Sequence, residues 1–175
     1  MGTETNRDDK EWIRAALDQY EGPLIRYAHR FLGSIESARD VVQDTFLKLC
    51  AERSQQVRDH LPAWLFRVCR NRALDVLRKE NRMSQLEDTE LAVLENQSPS
   101  PSEQLDNKQK VHHVYKALGG LPSNQQEVIR LKFQEGLSYR EISEITGHSI
   151  SHVGVLIHAG MKTLRQRLSH DSLQV

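Results

Sequence analysis

The chain of 175 residues fits one medium domain or two small ones. Its 24 basic and 24 acidic side chains give a formal net charge of zero, so composition alone does not indicate a nucleic-acid binder. Two cysteines without a CxxC pair argue against a disulfide scaffold and predict reduced, buried thiols at Cys50 and Cys69. No apolar run approaches the roughly 18 residues of a membrane span, and the polar start is unlike a secretory signal, so we expect a cytoplasmic protein without membrane insertion.

Helical periodicity dominates the chain. Apolar residues recur three and four positions apart, and no convincing alternating strand pattern is found, so the sequence predicts an all-α fold. Gly22-Pro23 and Gly33 are expected to end two short helices, and Pro62 to open a long one in its first turn. The predicted helices of this half cover residues 10–20, 24–32, 34–53 and 62–82, with a polar loop over residues 54–61.

A change of composition divides the chain in two. Residues 84–110 hold six acidic and two basic side chains and a Ser-Pro-Ser-Pro run that cannot continue a helix. We interpret this segment as an acidic, flexible linker between two small helical domains, an N-terminal one over 1–83 and a C-terminal one over 111–175. The neutral net charge therefore averages two mildly basic domains and an acidic connection.

The C-terminal segment has the pattern of a helix-turn-helix. Two capping boxes, Ser123 with Gln126 and Ser138 with Glu141, are expected to start short helices by satisfying free N–H groups. Gly147 ends the second of these, and a final helix follows over residues 150–168. A helical hairpin used for dimerisation or packing is the alternative interpretation.

The final helix lacks the charge expected of a DNA reader, because no lysine or arginine lies between His148 and Met161. Its apolar residues predict a buried stripe that consists of Val153, Ile157, Gly160 or Met161, Leu164 and Leu168. The outward side chains are then Ser151, His152, Val155, His158, Lys162 and Arg165. Positive charge is thus expected only at the borders of this surface.

Two helices of the first half present polar faces of opposite character. Asp40, Gln43 and Asp44 share one side of the third helix, a surface that is poor for DNA and suited to a protein partner. The long fourth helix carries a basic face next to Trp64 and Phe66, a combination that suits unpaired nucleic acid. The polar residues of that face are Arg67, Arg70, Asn71, Arg78, Lys79 and Arg82. Each face, taken alone, also fits an ordinary solvated helix surface.

Catalytic and metal-binding patterns are not found in the sequence. The chain has no P-loop, Gly-rich dinucleotide fingerprint or serine elbow. His148 and His152 lack a nearby cysteine or carboxylate that would complete a metal site. We therefore expect neither an enzyme nor a bound metal or cofactor.

In chain order, three segments resemble a small RNA polymerase sigma factor of the extracytoplasmic-function (ECF) group. The segment "ARDVVQDTFLKL" is similar to the part of the family that contacts the polymerase clamp helices, and "AWLFRVCRNRALDVLRK" resembles its promoter-melting and minus-10 recognition helix. The segment "LPSNQQEVIRLKFQEGLSYREISEITG" is similar to the start of the domain that docks on the polymerase flap and reads the minus-35 element. The resemblance implies a transcription initiation factor whose partners are core RNA polymerase, promoter DNA and an anti-sigma factor.

The resemblance also assigns residues to each contact. Core polymerase binding is assigned to Asp40, Gln43, Asp44 and Phe46. The minus-10 strand is assigned to Gln56, Arg58, Asp59, Trp64, Arg67, Arg70, Asn71 and Arg78, with the first three near a flipped base. The minus-35 element is assigned to Arg140, Ser149, Ser151, His152, Val155, Lys162 and Arg165, with Gly154 permitting close approach. Because the family's usual basic residues are missing from this last helix, we expect few phosphate contacts and a shallow salt dependence.

Two other functions fit parts of the sequence. A stand-alone helix-turn-helix regulator has no need of the stripe formed by Asp40, Gln43 and Asp44. A polymerase-bound adaptor without promoter activity would bind core polymerase yet start no transcripts. Core binding and run-off transcription separate these alternatives from a sigma factor.

Overall fold

The computed structural model describes residues 2–52, 54–84 and 105–171, and the chain divides into two compact units between Glu95 and Asn96. The described residues form helices and short connections without a β-strand, which confirms the predicted all-α fold. In this part of the chain no helix is long and apolar enough to cross a membrane. The helices are α1 (Gly2–Leu32), α2 (Ile35–Ala51), α3 (Ser54–Val57), a 3₁₀ turn (Arg58–His60), α4 (Leu61–Ser84), α5 (Leu105–Gly119), α6 (Ser123–Phe133), α7 (Tyr139–Thr146) and α8 (Ile150–Asp171).

Helix α1 runs unbroken through Gly22 and Pro23, so the predicted division into two helices is wrong. A proline inside a helix removes one backbone hydrogen bond, but the packed face of α1 continues on both sides of it against α2 and α4. The buried residues of this face are Ala16, Leu24, Tyr27 and Ala28. Shared burial therefore outweighs the local break.

A tight turn at Gly33 and Ser34 connects α1 to α2. Gly33 has a φ of 67°, a conformation that favours glycine. The Ser34 hydroxyl accepts a hydrogen bond from the Ser37 N–H at 3.3 Å and caps α2, which confirms the predicted start of this helix. After α2, the predicted polar loop is wrong, because residues 54–60 form helical turns that the buried Val57 holds against the unit.

The N-terminal unit closes around the inner face of α4, on which Leu65, Phe66, Cys69 and Ala73 are fully buried. Burial raises the pKa of the Cys69 thiol to about 12, with a smaller opposing effect from a hydrogen bond with Thr45. Cys50 is exposed on α2, so the prediction that both thiols are buried holds only for Cys69.

The C-terminal unit contains α5 to α8. Helix α5 begins at Leu105, inside the segment predicted to be linker, because the Ser-Pro run ends at Pro101 and no proline follows before Pro122. The core of this unit includes Ala117, Leu118, Leu121, Ile129 and Leu164. The last helix begins at Ile150, as predicted, and its apolar stripe faces the other helices.

The turn between α5 and α6 differs from the predicted capping box at Ser123. Pro122 occupies the N-cap position of α6, and it provides no side-chain cap. The Gln126 amide donates instead to the carbonyls of Gly119 at 2.9 Å and Leu121 at 2.8 Å. The amide therefore closes the turn at the end of α5, because a proline at the N-cap fixes the backbone without a serine cap.

Helices α7 and α8 form the predicted helix-turn-helix. The Ser138 N–H donates to Glu141 Oε2 at 2.7 Å, and the Ser138 hydroxyl accepts from the Glu141 N–H at 3.2 Å, which confirms the capping box. Gly147 ends α7 with a φ of 77°. On α8, a Cβ added to Gly160 would lie 2.5 Å from Ile129 Cδ1, so a larger residue there would force the buried Ile129 side chain to move.

Candidate polymerase and promoter interfaces

Helix α2 presents the polar stripe predicted from its sequence. Asp40 and Gln43 are exposed, and Asp44 is partly exposed. The opposite face lies in the core and includes Phe46, of which only 6% is exposed. The predicted direct contact of Phe46 with the polymerase is therefore corrected: this ring holds α2 in place and offers almost no surface to a partner.

An ion pair connects the stripe to α4. Arg72 Nε donates to Asp44 Oδ2 at 2.8 Å, and both side chains lie about half exposed at the surface. Exposed pairs of this kind contribute roughly 0–1 kcal/mol to stability. Sequence reasoning missed Arg72 because its partner Asp44 is distant along the chain. Arg72 also lies beside the basic face of α4 and not on it. The pair fixes the position of one acid of the stripe.

Helix α4 presents its basic face to solvent. Its exposed residues include Arg67, Asn71, Arg78, Lys79 and Arg82. Arg70 is partly buried, and Arg78 donates to Asp75 Oδ1 at 3.2 Å while remaining 70% exposed. Trp64, only 7% exposed, is packed at the start of the helix, so its predicted role as a minus-10 contact is corrected to a core position. The remaining predicted residues of α4 lie along one accessible side or at its edge.

The turn before α4 holds the three residues predicted to lie near a flipped base. Gln56 and Asp59 are exposed. The Arg58 guanidinium donates to Asp9 Oδ1 at 3.0 Å and lies 4.9 Å from the centre of the Trp12 ring. Arg58 thus anchors the turn on α1 while about a third of its side chain stays exposed, and its role as a base contact stays a prediction. Gln56 and Asp59 are the more accessible residues of the three.

Helix α8 exposes the side chains predicted to face DNA. They are Ser151, His152, Val155, His158, Lys162 and Arg165. Val155 is 62% exposed, and the flanking Arg140 of α7 forms an exposed pair with Glu144 at 3.4 Å. Ser149 Oγ accepts the His152 N–H at 3.2 Å and so caps α8. Lysine and arginine on this surface are confined to its borders, as predicted.

The small residue in the middle of this surface lies beside α7. A Cβ at Gly154 would lie 3.6 Å from Tyr139 Cε2, so Gly154 faces the aromatic ring of α7. Its use for close approach to DNA stays a prediction. The His148 and His152 rings meet edge to face at 5.0 Å, and among the described side chains no group of three potential metal ligands is found.

An apolar groove of about 500 Å³ opens between α5, α6 and α8 in the C-terminal unit. Its lining includes Val111, Val114, Tyr115, Phe133, Met161 and Leu168. At its base, Arg130 is 8% exposed with its guanidinium 5.7 Å from the Tyr115 ring, and desolvation lowers the pKa of this arginine. Sequence reasoning missed the groove because its apolar residues come from three separate helices.

Both units match known protein families. Residues 16–83 match the family described as Sigma-70 region 2, and residues 113–164 match the family described as Sigma-70, region 4. The two matches together cover more than half of the chain. The chain belongs to the sigma-70 family of RNA polymerase sigma factors. Sigma-70 factors act in transcription initiation, which confirms the predicted class of function.

Relatives of this sigma factor include the RNA polymerase sigma factor SigV of Bacillus subtilis, 24% identical over 94% of this chain and 95% of the relative. The ECF sigma factor EcfG of Rhodopseudomonas palustris is 29% identical over 98% of this chain and 90% of the relative. Among solved structures, the chain is similar to the sigma factor RpoE of Bartonella quintana, which is in complex with the anti-sigma factor NepR. The two are 26% identical with a TM-score of 0.66, and the match covers 89% of this chain and 96% of that one. The predicted membership of the ECF group is confirmed.

Proposed function

We propose that this sigma factor binds core RNA polymerase through Asp40, Gln43 and Asp44 and directs it to promoters through α4 and α8. The observation that carries the proposal is the different character of two faces of the N-terminal unit: Asp40, Gln43 and Asp44 share one face of α2, and arginines recur along one exposed side of α4. An acidic surface repels DNA and suits a protein partner, whereas arginine attracts phosphate. Two different partners can therefore occupy one small unit together.

Promoter opening is assigned to the basic face of α4. Arg67, Arg70, Asn71 and Arg78 contact the unpaired minus-10 strand, and Gln56 with Asp59 lie beside a base that leaves the stack. Flipping a base costs a few kcal/mol, which contacts with the protein must offset. Because the surface favours the unpaired strand, its binding shifts the duplex toward the open state without ATP.

Upstream recognition is assigned to α8. Ser151, His152 and Val155 face the base edges, and the exposed valine suits the methyl group of a thymine. Phosphates are held by Arg140, Lys162, Arg165 and the backbone N–H groups at the start of α8 near Ser149. The division of labour thus follows the two helical units, with residues 1–83 for polymerase and the minus-10 strand, and the helices from α5 onward for the minus-35 element, joined by a linker that ends before Leu105.

The groove of the C-terminal unit supports a further protein contact. An apolar surface lined by Val114, Tyr115 and Phe133, each at least 44% exposed, suits a protein partner better than DNA. We assign it to the polymerase flap in the holoenzyme. Because the Bartonella quintana relative is bound to an anti-sigma factor, we also propose such a partner for this chain, in competition with core polymerase.

Reconstitution tests the proposed function. Transcription starts are mapped after overexpression, and run-off transcription is then measured with purified core polymerase on the mapped promoter. The proposal predicts core binding and transcripts that begin at the mapped start. A chain that binds duplex DNA but not core polymerase is a stand-alone regulator, and one that binds core polymerase but starts no transcript is an adaptor; either result contradicts the proposal.

A further inference from the structure

An exposed leucine lies at the C-terminal end of the polar stripe of α2. Leu47 is 61% exposed, whereas the other large apolar residues of this helix after its first turn, Val41, Val42, Phe46 and Leu49, are at most 6% exposed. It follows Asp40 by seven residues, Gln43 by four and Asp44 by three, so all four side chains share one face. Leu47 therefore projects into solvent at the C-terminal end of the polar stripe, with the exposed Lys48 next to it in the chain.

Single exposed leucines are common on protein surfaces, so exposure alone assigns nothing. The surroundings of Leu47 distinguish it, because an apolar residue beside polar and charged side chains is found where the apolar core of a protein interface meets its rim. The rim is fixed: Asp44 is held by Arg72 at 2.8 Å, and α2 is anchored from below by buried residues. A partner would meet a leucine on a fixed helix, next to Asp44 and Lys48.

We infer that Leu47 is an apolar contact of the surface that binds core RNA polymerase, and that it enters an apolar depression on the polymerase beside the contacts of Asp40 and Asp44. The inference rests on the proposed function, and it changes the source of the affinity. Asp40 and Asp44 orient the partner and speed the encounter, since charges at a rim act mainly on association. Burial of Leu47 then slows dissociation.

Cys50 provides a reporter for the same surface. It follows Leu47 by three residues, which is about one helical turn, and its thiol is exposed. Cys69, the other cysteine, is buried, and its pKa of about 12 keeps it protonated at neutral pH. An alkylating reagent applied to the folded full-length chain therefore modifies Cys50 and leaves Cys69 as an internal control.

The test compares variants of Leu47 in the full-length chain for equilibrium binding to purified core polymerase. Leu47→Ala should weaken binding about tenfold, because most of a leucine side chain would lose its apolar contact. Leu47→Met keeps an apolar side chain of similar volume and should bind within about twofold of the wild type. The matched control is Leu17→Ala, at a leucine of α1 that is 37% exposed, which should also change binding less than about twofold.

The outcomes separate the inference from the proposed function. If the wild-type chain does not bind core polymerase, the proposed function fails. If the wild type binds and Leu47→Ala binds equally well, the inference alone is overturned. The inference is also overturned if Leu17→Ala weakens binding to the same extent as Leu47→Ala. Core polymerase should also slow the alkylation of Cys50 at least about fivefold, because the bound partner would cover most of this residue. An unchanged alkylation rate contradicts the assignment of this face of α2 to polymerase binding.

Discussion

Helices α4 and α8 are both assigned to DNA, but they carry opposite kinds of surface. On α4, arginines recur along the exposed side, and Arg78 is 70% exposed even though it pairs with Asp75. On α8, the exposed residues from Ser151 to His158 include no lysine or arginine, and the apolar Val155 among them is 62% exposed. The exposed side of α4 is therefore charged, and that of α8 is neutral between its borders.

The difference indicates that the two proposed DNA contacts depend on different interactions, charge for α4 and neutral base contacts for α8. An unpaired strand has flexible phosphates and exposed base faces, so a row of arginines can follow it. A duplex has fixed base edges in its major groove, where apolar and neutral polar groups can discriminate bases without adding general affinity. The neutral helix is therefore expected to depend on shape and on core polymerase for its binding strength.

The largest expected effect comes from removing the charge of α4. The double substitution Arg67→Ala with Arg78→Ala should lower open-complex formation about 100-fold, since each lost charge-assisted contact costs roughly 1.4 kcal/mol. Open complexes are measured by permanganate reactivity of unpaired thymines. Binding to an upstream duplex fragment should change less than about twofold, and equal losses in both assays would remove the distinction between the two helices.

A pair of glycine substitutions tests whether α8 is placed as described. Gly160→Ala should destabilise the C-terminal unit by about 1–3 kcal/mol, because its Cβ would clash with Ile129. Gly154→Ala should stabilise it by up to about 1 kcal/mol, since alanine favours a helix and its Cβ would meet Tyr139 at an ordinary contact distance. Urea unfolding of the full-length variants, followed by circular dichroism, measures both changes. Effects of the same sign would contradict the packing of this helix.

Adding the missing charge to α8 should remove the difference between the two helices. His152→Arg should form a new phosphate contact and raise affinity for the upstream duplex about tenfold at low salt. The slope of log affinity against log salt concentration should become steeper by about 0.9. His152→Gln is the matched control, because it keeps a neutral polar side chain of moderate size. An arginine variant with unchanged affinity and slope would mean that this face does not meet DNA.

The smallest effect is expected from the apolar contact of α8. Val155→Ala should weaken upstream binding about fivefold, because two buried methyl groups are lost from the contact. Replacing thymines of the minus-35 element by deoxyuridine, one at a time, should weaken binding by a similar factor at one position in the wild type. At that position the deoxyuridine substitution should not weaken DNA binding by the Val155→Ala variant any further. If the losses from the two changes add, another side chain contacts the thymine methyl group.

Periodicity predicted what depends on the chain locally. The buried stripe of α8 through Val153 and Ile157, the capping box at Ser138 and the end of α7 at Gly147 follow from spacing and local chemistry, and the structure confirms them. The continuity of α1 through Pro23 was not predictable, because burial on both sides of the proline decides it.

Packing between helices also decided which candidate residues are accessible. Trp64 and Phe46 lie in the core, and Arg58 is anchored by Asp9, contacts that no spacing rule reports. Leu47 was overlooked for the opposite reason, since an apolar residue in a helix is ordinarily interpreted as core. Charge patterns identified the faces of α2 and α4, but only the folded unit distinguishes the side chains that a partner can reach.

The salt dependence of upstream DNA binding tests the central claim most directly. The full-length chain is titrated with an upstream duplex from the mapped promoter at pH 8 and at several salt concentrations. With phosphate contacts from Arg140, Lys162 and Arg165, the slope of log affinity against log salt concentration should be about −3 or shallower, at about 0.9 for each contact. A slope of about −5 or steeper would require charges that α8 and its borders do not provide, and it would contradict recognition by neutral groups.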